Sequence, residues 1–453
     1  MKEIKDIFDP QHILNPGVIL NSDPEAHLRH LKPLPPSSEI VDKCIECGFC
    51  EVQCPSRDLT LTPRQRIVVW REIMRLERTG ESPSRLRSLR KEFRYYGDET
   101  CATDGLCALA CPVAINTGEL VKELRNQNIG KLRSAFAWFL ANNMKPVTSA
   151  ARLLLNVLDL LHSLFGSAVL TALSKGLRLL SRGGIRLWNA QMPKGADRIP
   201  APRPSGSPRD AIVYFPTCIN RTFGVSQQAG DNRSLVTVAL QLLEKSGFDV
   251  RIPDNVDALC CGMAFTSKGY FSQGNAKSEE LERALVDTSE NGRLPILVDM
   301  TPCLQRMKDS FKRPLPLYDQ SQFSAQILST RLVFTKRPEP VMLHPTCSST
   351  KMGITGDLQT AASLCSDSVV VPDGIGCCGW AGDRGFTFPE LNASALLPLK
   401  KAIPDDCCEG YSNSRTCELG LSLHGGIPYR SILYLIDRCS APRSAGHSPK
   451  TVS

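Results

Sequence analysis

The sequence lacks an uninterrupted hydrophobic run, and this absence limits where the protein can reside. The first twenty residues carry charges and no apolar stretch, so a secretory signal is not expected. The most apolar segment, residues 131–194, is interrupted by Asn156, Asp159 and His162, which argues against a transmembrane helix. We therefore predict a cytoplasmic protein that is at most peripheral on the inner face of a membrane.

Acidic residues are almost absent from residues 131–194, where nine Lys or Arg stand against Asp159 alone. The net charge of the chain, +8, admits nucleic acid, a membrane surface or an acidic partner. The segment lacks the interleaved aromatic and basic residues of single-strand binders, so no nucleic-acid function is expected. Such helices either lie on an anionic membrane surface or pack between domains, and the sequence favours neither. His162 is interpreted as an interior or interface histidine.

Cysteine, by contrast, is abundant: 19 of the 453 residues are Cys, and they are grouped in motifs. Clustered thiols without a secretory signal indicate metal ligation in a reducing compartment rather than a disulfide framework. A chain of this length has room for two or three domains.

The first group reads Cys44-Ile-Glu-Cys47-Gly-Phe-Cys50-Glu-Val-Gln-Cys54-Pro55. Three thiols at i, i+3 and i+6 can turn toward one point, whereas the proline stops a helix that would carry Cys54 to the same site. In bacterial ferredoxins, such a fourth Cys ligates the other cluster. Zinc sites usually pair two CxxC units and need neither the third spacing nor the proline. Iron–sulfur ligation is therefore favoured over a zinc site or buried thiols.

A second run, Cys101-Ala-Thr-Asp104-Gly-Leu-Cys107-Ala-Leu-Ala-Cys111-Pro112, has Asp104 where the pattern has a cysteine. The second site is predicted to hold a [3Fe-4S] cluster, or a [4Fe-4S] cluster whose fourth iron is bound weakly by Asp104. Alternatively, Asp104 is only a turn residue before Gly105. The C-x5-C-x3-C-P spacing resembles the iron–sulfur subunit of succinate dehydrogenase, where it holds a [3Fe-4S] cluster. The predicted ligands are Cys44, Cys47, Cys50 and the crossing Cys111 for a [4Fe-4S] cluster, and Cys54, Cys101 and Cys107 for the second site.

The C-terminal half contains an internal repeat. Two apolar segments end in Pro-Thr-Cys, at Cys218 and Cys347, and each is followed by a Cys-Cys-Gly sequence. Asp299-Met-Thr-Pro-Cys303 is loosely matched by Ser412-Asn-Ser-Arg-Thr-Cys417. Strand and helix patterns between these groups predict two similar α/β lobes with parallel sheets and thiols at strand ends. The candidate metal ligands are Cys218, Cys260, Cys261 and Cys303 in the first lobe, and Cys347, Cys377, Cys378 and Cys417 in the second.

These repeats resemble the cysteine-rich CCG domains of heterodisulfide reductases and of the glycolate oxidase iron–sulfur subunit. The resemblance implies an iron–sulfur cluster, zinc or a quinone-like acceptor. Met300 and Ser414 stand where the heterodisulfide reductase CxxC has its first Cys, which argues against a five-thiolate cluster and against disulfide reduction. Each lobe is expected to hold one metal centre, or a redox-active or empty thiol site. Four further thiols are interpreted as ordinary: Cys365, Cys407, Cys408 and Cys439.

Residues 1–22 form a short helix that ends at Asp9-Pro10 and a turn at Asn15-Pro16-Gly17. The Phe-Asp-Pro…Leu-Asn-Pro-Gly stretch resembles the end of the FAD-linked oxidase family, the vanillyl-alcohol-oxidase-like flavoproteins. This resemblance implies an FAD domain outside the sequence, either in a partner subunit or upstream in a fusion. Because Met1 falls within what resembles a structural element, the fusion is favoured.

The chain is thus predicted to be an α+β multidomain protein, with a helical ferredoxin-type two-cluster domain followed by two similar α/β CCG lobes. A helix opening at Thr62-Pro63 separates the Cys runs. The order resembles FAD- and iron–sulfur-containing D-lactate dehydrogenases, which implies electron transfer from a D-2-hydroxy acid through flavin to a quinone or cytochrome. Alternatives are the iron–sulfur subunit of glycolate or D-2-hydroxyglutarate dehydrogenase, or a heterodisulfide-reductase-like thiol–disulfide oxidoreductase. The predicted boundaries are 1–22 (flavin-domain remnant), 23–130 (two-cluster domain, opening with a Pro-rich linker), 131–210 (basic apolar helices and linker), 211–330 and 331–440 (CCG lobes) and 441–453 (tail).

Overall fold

The computed structural model describes residues 1–18, 20–29, 34–181, 183–202, 210–227 and 230–443. Parts of the two predicted linkers, including Pro33 and residues 203–209, lie outside the described residues. Residues 444–453 of the predicted tail also lie outside them.

The N-terminal region is helical, and its main helix begins where the sequence indicates. Thr62 caps that helix: its Oγ1 accepts a hydrogen bond from the Gln65 N–H, and the Gln65 side chain accepts one from the Thr62 N–H. Ile67, Ile73 and Leu76 are buried on one face, and Ile67 and Ile73 pack with Leu120 and other apolar residues. The helices are α1 (Lys2–Phe8), α2 (Pro63–Thr79), α3 (Pro83–Phe93), α4 (Leu106–Ala110) and α5 (Thr117–Gln127).

Two further helices, α6 (Lys131–Asn142) and α7 (Met144–Leu180), form the basic apolar segment. The backbone of α7 leaves helical geometry at Gly166, where φ is 74° and ψ is 167°. The expectation that polar residues exclude a membrane-crossing helix is wrong on length and composition, because an 18-residue window of α7 reaches a mean hydropathy of 1.7. The polar residues are too sparse to lower that average. Only 11% of the window is buried.

The first C-terminal sheet has four parallel strands in the order β2-β1-β3-β4. Parallel neighbours require crossover connections, which helices supply on both faces. Its elements are β1 (Asp210–Phe215), α8 (Cys218–Thr222), α9 (Leu235–Lys245), β2 (Phe248–Arg251), α10 (Met263–Thr266), α11 (Phe271–Thr288), β3 (Ile296–Val298), α12 (Thr301–Ser310), β4 (Leu317–Asp319), α13 (Gln320–Phe323) and α14 (Ser329–Arg331).

The second sheet has the corresponding order, β7-β6-β8-β9, and is also parallel. A separate antiparallel pair joins β5 to β10. The elements are β5 (Leu332–Phe334), β6 (Val341–Leu343), α15 (Cys347–Met352), α16 (Thr355–Ser363), β7 (Val369–Val370), α17 (Pro389–Ala395), α18 (Leu399–Ala402), β8 (Gly410–Ser412), α19 (Arg415–Gly425), β9 (Tyr429–Ser431), α20 (Ile432–Arg438) and β10 (Ser440–Pro442).

One hydrophobic core joins the two sheets. Ile212 and Tyr214 of β1 and Val341 and Leu343 of β6 all belong to it. The opposite faces of these strands pack in separate cores, each of which contains cysteines of its own lobe. The predicted order of a helical N-terminal region followed by a cysteine-rich region with parallel sheets is therefore confirmed.

Candidate iron–sulfur and thiol sites

The two proline-terminated Cys runs meet at a first cavity, which we call site A. Arg71 lies behind it as a buried cation that donates to the Glu46 carboxylate (2.9 Å) and to the Cys44 carbonyl (3.0 Å). Burial raises the pKa of the Cys50 thiol to about 11. Holding several thiolates here thus requires a compensating positive charge. The thiols that line site A are Cys44, Cys47, Cys50 and Cys111.

A second cavity, site B, is lined by the remaining thiols of the runs and by Asp104. One Asp104 oxygen accepts a hydrogen bond from the Leu106 N–H at 2.8 Å, as a turn residue at the start of α4 does. Asp104 can therefore stabilise this turn and line site B at the same time. Burial raises the pKa of Asp104 and that of the Cys107 thiol, the latter to about 12. The residues that line site B include Cys54, Cys101, Asp104 and Cys107.

Arg66 lies beside site B, and sequence reasoning missed it. Its side chain is buried, and its Nη1 lies 3.5 Å from the Cys54 sulfur. The same guanidinium donates to the Ser56 hydroxyl (2.8 Å) and to the Gly97 carbonyl (2.7 Å), which fixes its position. Burial opposes its charge, but the Cys101 and Cys54 thiolates hold its pKa above the usual value. A basic residue on the apolar face of α2 was the available signal.

The donor sets at sites A and B fit an inorganic cluster better than a single ion. Among the described residues, no three His, Cys, Asp or Glu side chains converge closely enough to hold a metal ion. Structural zinc requires four donors within about 2.0–2.3 Å of one point. Thiols spread around a cavity and backed by buried arginines are the surroundings that a larger, anionic iron–sulfur cluster requires.

Each Cys-Cys-Gly sequence forms a turn that only glycine can complete. Gly262 and Gly379 have φ values of 83° and 71°, and a Cβ on them would lie 2.0 Å from the Gly274 carbonyl and 2.7 Å from the Leu391 carbonyl. Each glycine N–H points at the sulfur of the first cysteine, Cys260 or Cys377, at 3.4 Å. The two turns therefore present a thiol and a donor to it in the same way.

Strand ends and helix starts bring the other two thiols of each lobe to the turn. Cys218 begins α8 after β1, and its sulfur lies 3.7 Å from that of Cys260. Cys303 lies in the first turn of α12 and packs in the same core as Cys261. The second lobe repeats this arrangement. Cys347, at the start of α15, packs against the cluster that contains Cys377, and Cys417, in the first turn of α19, packs in the same core as Cys378. Met300 and Ser414 occupy equivalent positions before α12 and α19.

The structure also sets the order of these sites. Cys377 packs in one apolar cluster with Ala102 and Leu106, so the second lobe adjoins site B. Cys260 packs instead with Ala137 and Ala141 of α6, so the first lobe adjoins the basic apolar helices.

The first residues of α12 and α19, the helices that carry Cys303 and Cys417, contact each other between the lobes. The Thr301 N–H donates to the Asn413 carbonyl at 3.1 Å, and the Arg415 N–H points at the Met300 sulfur at 3.3 Å. The two lobes are thus in direct contact, and the first lobe also contacts helix α5, whose Arg125 and Asn126 side chains donate to the Ser267 and Gly269 carbonyls.

His344 and the remaining thiols lie apart from these sets. His344 is fully buried at the position that Phe215 holds in the first repeat, and neither ring nitrogen has a hydrogen-bond partner. Burial lowers the pKa of His344 to about 4. His162 packs edge-on against Trp188 and bonds the Ser167 hydroxyl at 2.6 Å, which is an interface role. Of the four ordinary thiols, Cys365, Cys407 and Cys439 are buried and Cys408 is exposed.

Comparison with known proteins identifies both cysteine-rich regions. A family model described as "4Fe-4S dicluster domain" matches residues 40–115, and one described as "Cysteine-rich domain" matches residues 212–308. This is an iron–sulfur protein with a cysteine-rich CCG domain. Sites A and B lie in the dicluster domain, and the first lobe is the matched cysteine-rich domain.

The chain is related to a subunit of dihydromethanophenazine:CoB–CoM heterodisulfide reductase. That subunit from Methanosarcina acetivorans is 31% identical over 286 residues, which are 61% of this chain and 58% of the relative. Its counterparts from Methanosarcina barkeri and Methanosarcina mazei are each 30% identical over about 100 residues, which are 24% of their lengths. The match thus spans little more than half of one relative and a quarter of the others.

Proposed function

We propose that this chain is the electron-transfer part of an FAD-dependent D-2-hydroxy-acid dehydrogenase, with D-lactate as the substrate. The observation that carries the electron-transfer role is the direct packing of Cys377 against Ala102 and Leu106, which joins site B to the second lobe. Iron–sulfur clusters bound at sites A and B accept and release single electrons, with potentials set by ligands, charge and hydrogen bonds. The assigned ligands are those named in the sequence, with Asp104 beside the three thiols of site B.

The chain's own residues would then hold, insulate and tune the sites. Arg66 and Arg71 place buried positive charge beside the thiols of sites B and A. In the lobes, the Gly262 and Gly379 N–H groups direct a smaller, partial positive charge at a cysteine sulfur. Cys377 of the second lobe packs beside site B, and Cys260 of the first lobe packs against α6. Electrons entering at the dicluster domain would therefore leave through the first lobe.

The donor end of this path rests on residues 1–22. Helix α1 has no buried residue, and its Ile7 and Phe8 side chains are 73% and 80% exposed. Asp9 holds the following turn by accepting from the Ile13 and Leu14 N–H groups, both at 2.9 Å. An ordered helix with an uncovered apolar side supports packing on another body. By its resemblance to the end of FAD-linked oxidases, we assign that body as a flavin domain, which takes two electrons from the hydroxy acid.

The test uses the chain expressed anaerobically with ample iron. We expect brown protein with iron and sulfide in the amounts of two clusters, and no oxidation of D-lactate until the flavoprotein is added. Colourless protein that carries only zinc would overturn the electron-transfer role. Turnover of D-lactate by this chain alone would overturn the division of labour, and a substrate panel on the reconstituted enzyme separates D-lactate from glycolate and D-2-hydroxyglutarate.

A second candidate is a heterodisulfide-reductase-like thiol–disulfide oxidoreductase. It is favoured by the 31% identity to the Methanosarcina acetivorans reductase subunit and by four clustered thiols in each lobe. Met300 and Ser414 oppose it, because each replaces a thiol at the start of its helix. Reduction of a mixed disulfide by the chain, supplied with electrons by dithionite, would favour this candidate. Reduction of a quinone analogue and not of the disulfide would favour the relay.

A further inference from the structure

Helices α6 and α7 both expose apolar side chains, which we together call the α6–α7 face. On α6 it contains Phe136 and Phe139, which are 62% and 58% exposed. On α7 it contains Leu153, Val157, Leu160 and Leu164, spaced four, three and four residues apart so that they share one side of the helix. Water-exposed aromatic and leucine side chains in such a row are costly unless something covers them.

Polar side chains of α7 outside this row contact the following linker and both cysteine-rich lobes. The Asn156 side chain accepts from the Gly195 N–H at 2.9 Å, and the Asp159 carboxylate accepts from Gln227 at 2.9 Å. Near the other end, Arg178 donates to the Thr387 carbonyl at 2.7 Å. Asn156 and Asp159 hold the part of α7 before Gly166, and Arg178 holds the part after it, so both parts lie along the protein. Crossing a bilayer would break all three contacts, so the apolar face is presented sideways.

The charge of the chain is concentrated in the same segment. Residues 131–194 contain nine Lys or Arg and one acid, a net charge of +8. Subtracting these from the chain's 54 basic and 46 acidic residues leaves 45 of each. The whole net charge therefore belongs to the segment that carries the apolar face. An apolar stripe within a strongly basic segment is complementary to acyl chains beneath anionic headgroups.

We propose that the α6–α7 face binds flat on a bilayer surface that contains anionic lipids. The apolar side chains enter the headgroup boundary, and the basic residues of the segment contact lipid phosphates. On the inner side of α6, Ala137 and Ala141 pack against Cys260, so the first lobe's thiols lie about one helix diameter, roughly 10 Å, from the membrane. That last point rests on the proposed function, because it would let a lipid-soluble electron acceptor approach the first lobe; the docking itself does not.

Vesicle sedimentation tests the docking with the full chain. We expect binding to vesicles of phosphatidylcholine mixed with phosphatidylglycerol, weak binding to phosphatidylcholine alone, and release by high salt. The double variant Leu160→Glu, Leu164→Glu should bind at least about tenfold more weakly, because each leucine loses its apolar transfer. The triple variant Lys131→Gln, Arg133→Gln, Lys145→Gln should bind about a hundredfold more weakly to the anionic vesicles.

The matched control is Val333→Glu, a similar change at a half-exposed apolar position on β5, outside the face. It should bind like the unaltered chain, and unchanged far-UV circular dichroism and melting temperature confirm that each variant is folded. Equal binding to neutral and anionic vesicles, or by the double variant and the control, would overturn the proposal. Failure to bind any pure-lipid vesicle would overturn it too and would assign the face to a protein partner. None of these readouts depends on electron transfer, so the proposed function can fail separately.

Discussion

Replacing Arg66 by Gln should lower the reduction potential at site B while leaving site A unchanged. The guanidinium is buried and lies 3.5 Å from the Cys54 sulfur, with no carboxylate among its hydrogen-bond partners. Its charge therefore acts on site B without a hydrogen-bonded carboxylate beside it. Arg71, beside site A, is instead paired with Glu46.

The size of the effect follows from Coulomb's law. A unit charge roughly 6 Å from the centre of a cluster, at an effective dielectric constant of about 20, interacts with one added electron by about 3 kcal/mol. For a one-electron couple, about 3 kcal/mol corresponds to a potential lower by roughly 120 mV. A shift of this size would be visible in a redox titration followed by electron paramagnetic resonance, in which the two clusters have separate signals.

Two further variants separate charge from structure. Arg66→Lys keeps the positive charge but loses some of the guanidinium hydrogen bonds. It should therefore destabilise the fold, yet leave the reduction potential at site B close to that of the unaltered protein. Arg75→Gln removes a half-exposed arginine from the same helix, where it already pairs with Glu72 and Glu81, and should shift neither cluster. A potential in Arg66→Gln that moves by less than a fifth of the stated amount, in folded and fully loaded protein, would refute the electrostatic reasoning.

Three other predictions concern single positions. Asp104→Cys should abolish a [3Fe-4S]-type signal in air-oxidised protein by supplying a fourth thiolate; absence of that signal from the unaltered protein, with four irons at site B, would instead favour ligation by Asp104. His344→Phe should remove a pH dependence: because the folded pKa is about 4 and the unfolded one 6.5, the unfolded chain takes up the proton first, and stability should fall by about 2 kcal/mol from pH 7 to pH 5. Urea unfolding at both pH values checks this, and an unchanged pH dependence in the variant would contradict it. Gly376→Val should slow electron transfer from site B to the second lobe, since a Cβ there would lie 3.2 Å from Leu106 Cδ1, whereas Gly356→Val meets open space; equal rates after rapid mixing with a reductant would count against the proposed path.

Local sequence specified the features whose causes are local. The Thr62 cap and Pro63 define the start of α2, because capping depends on residues three apart. The glycine after each cysteine pair is required because its φ is positive and a Cβ there would lie too close to a carbonyl oxygen. The Cys-Cys-Gly sequence alone therefore predicts the turn. The repeated Pro-Thr-Cys and Cys-Cys-Gly groups likewise indicated parallel sheets with thiols at the strand ends, as found.

The ambiguity at Asp104 shows where local reasoning stopped. From the sequence, Asp104 was either a cluster ligand or a turn residue. In the structure its carboxylate lines the cavity and also accepts a hydrogen bond from the Leu106 N–H. Arg66 was overlooked for a related reason. Its hydrogen-bond partners Ser56, Gly97 and Thr100 come close to it only when the chain folds. The residue pattern of α2 therefore could not predict them.

Amino-acid order alone determined the sulfur-rich motifs, the repeat and the surplus of positive charge in residues 131–194. Tertiary structure decided which cavity each thiol enters, which lobe adjoins site B and which side of α7 is left uncovered. The physical reason is that helix α7 is apolar on most of its surface, so periodicity could not choose its buried face. The choice was made by polar contacts to Gly195, Gln227 and Thr387, residues that lie far away along the chain.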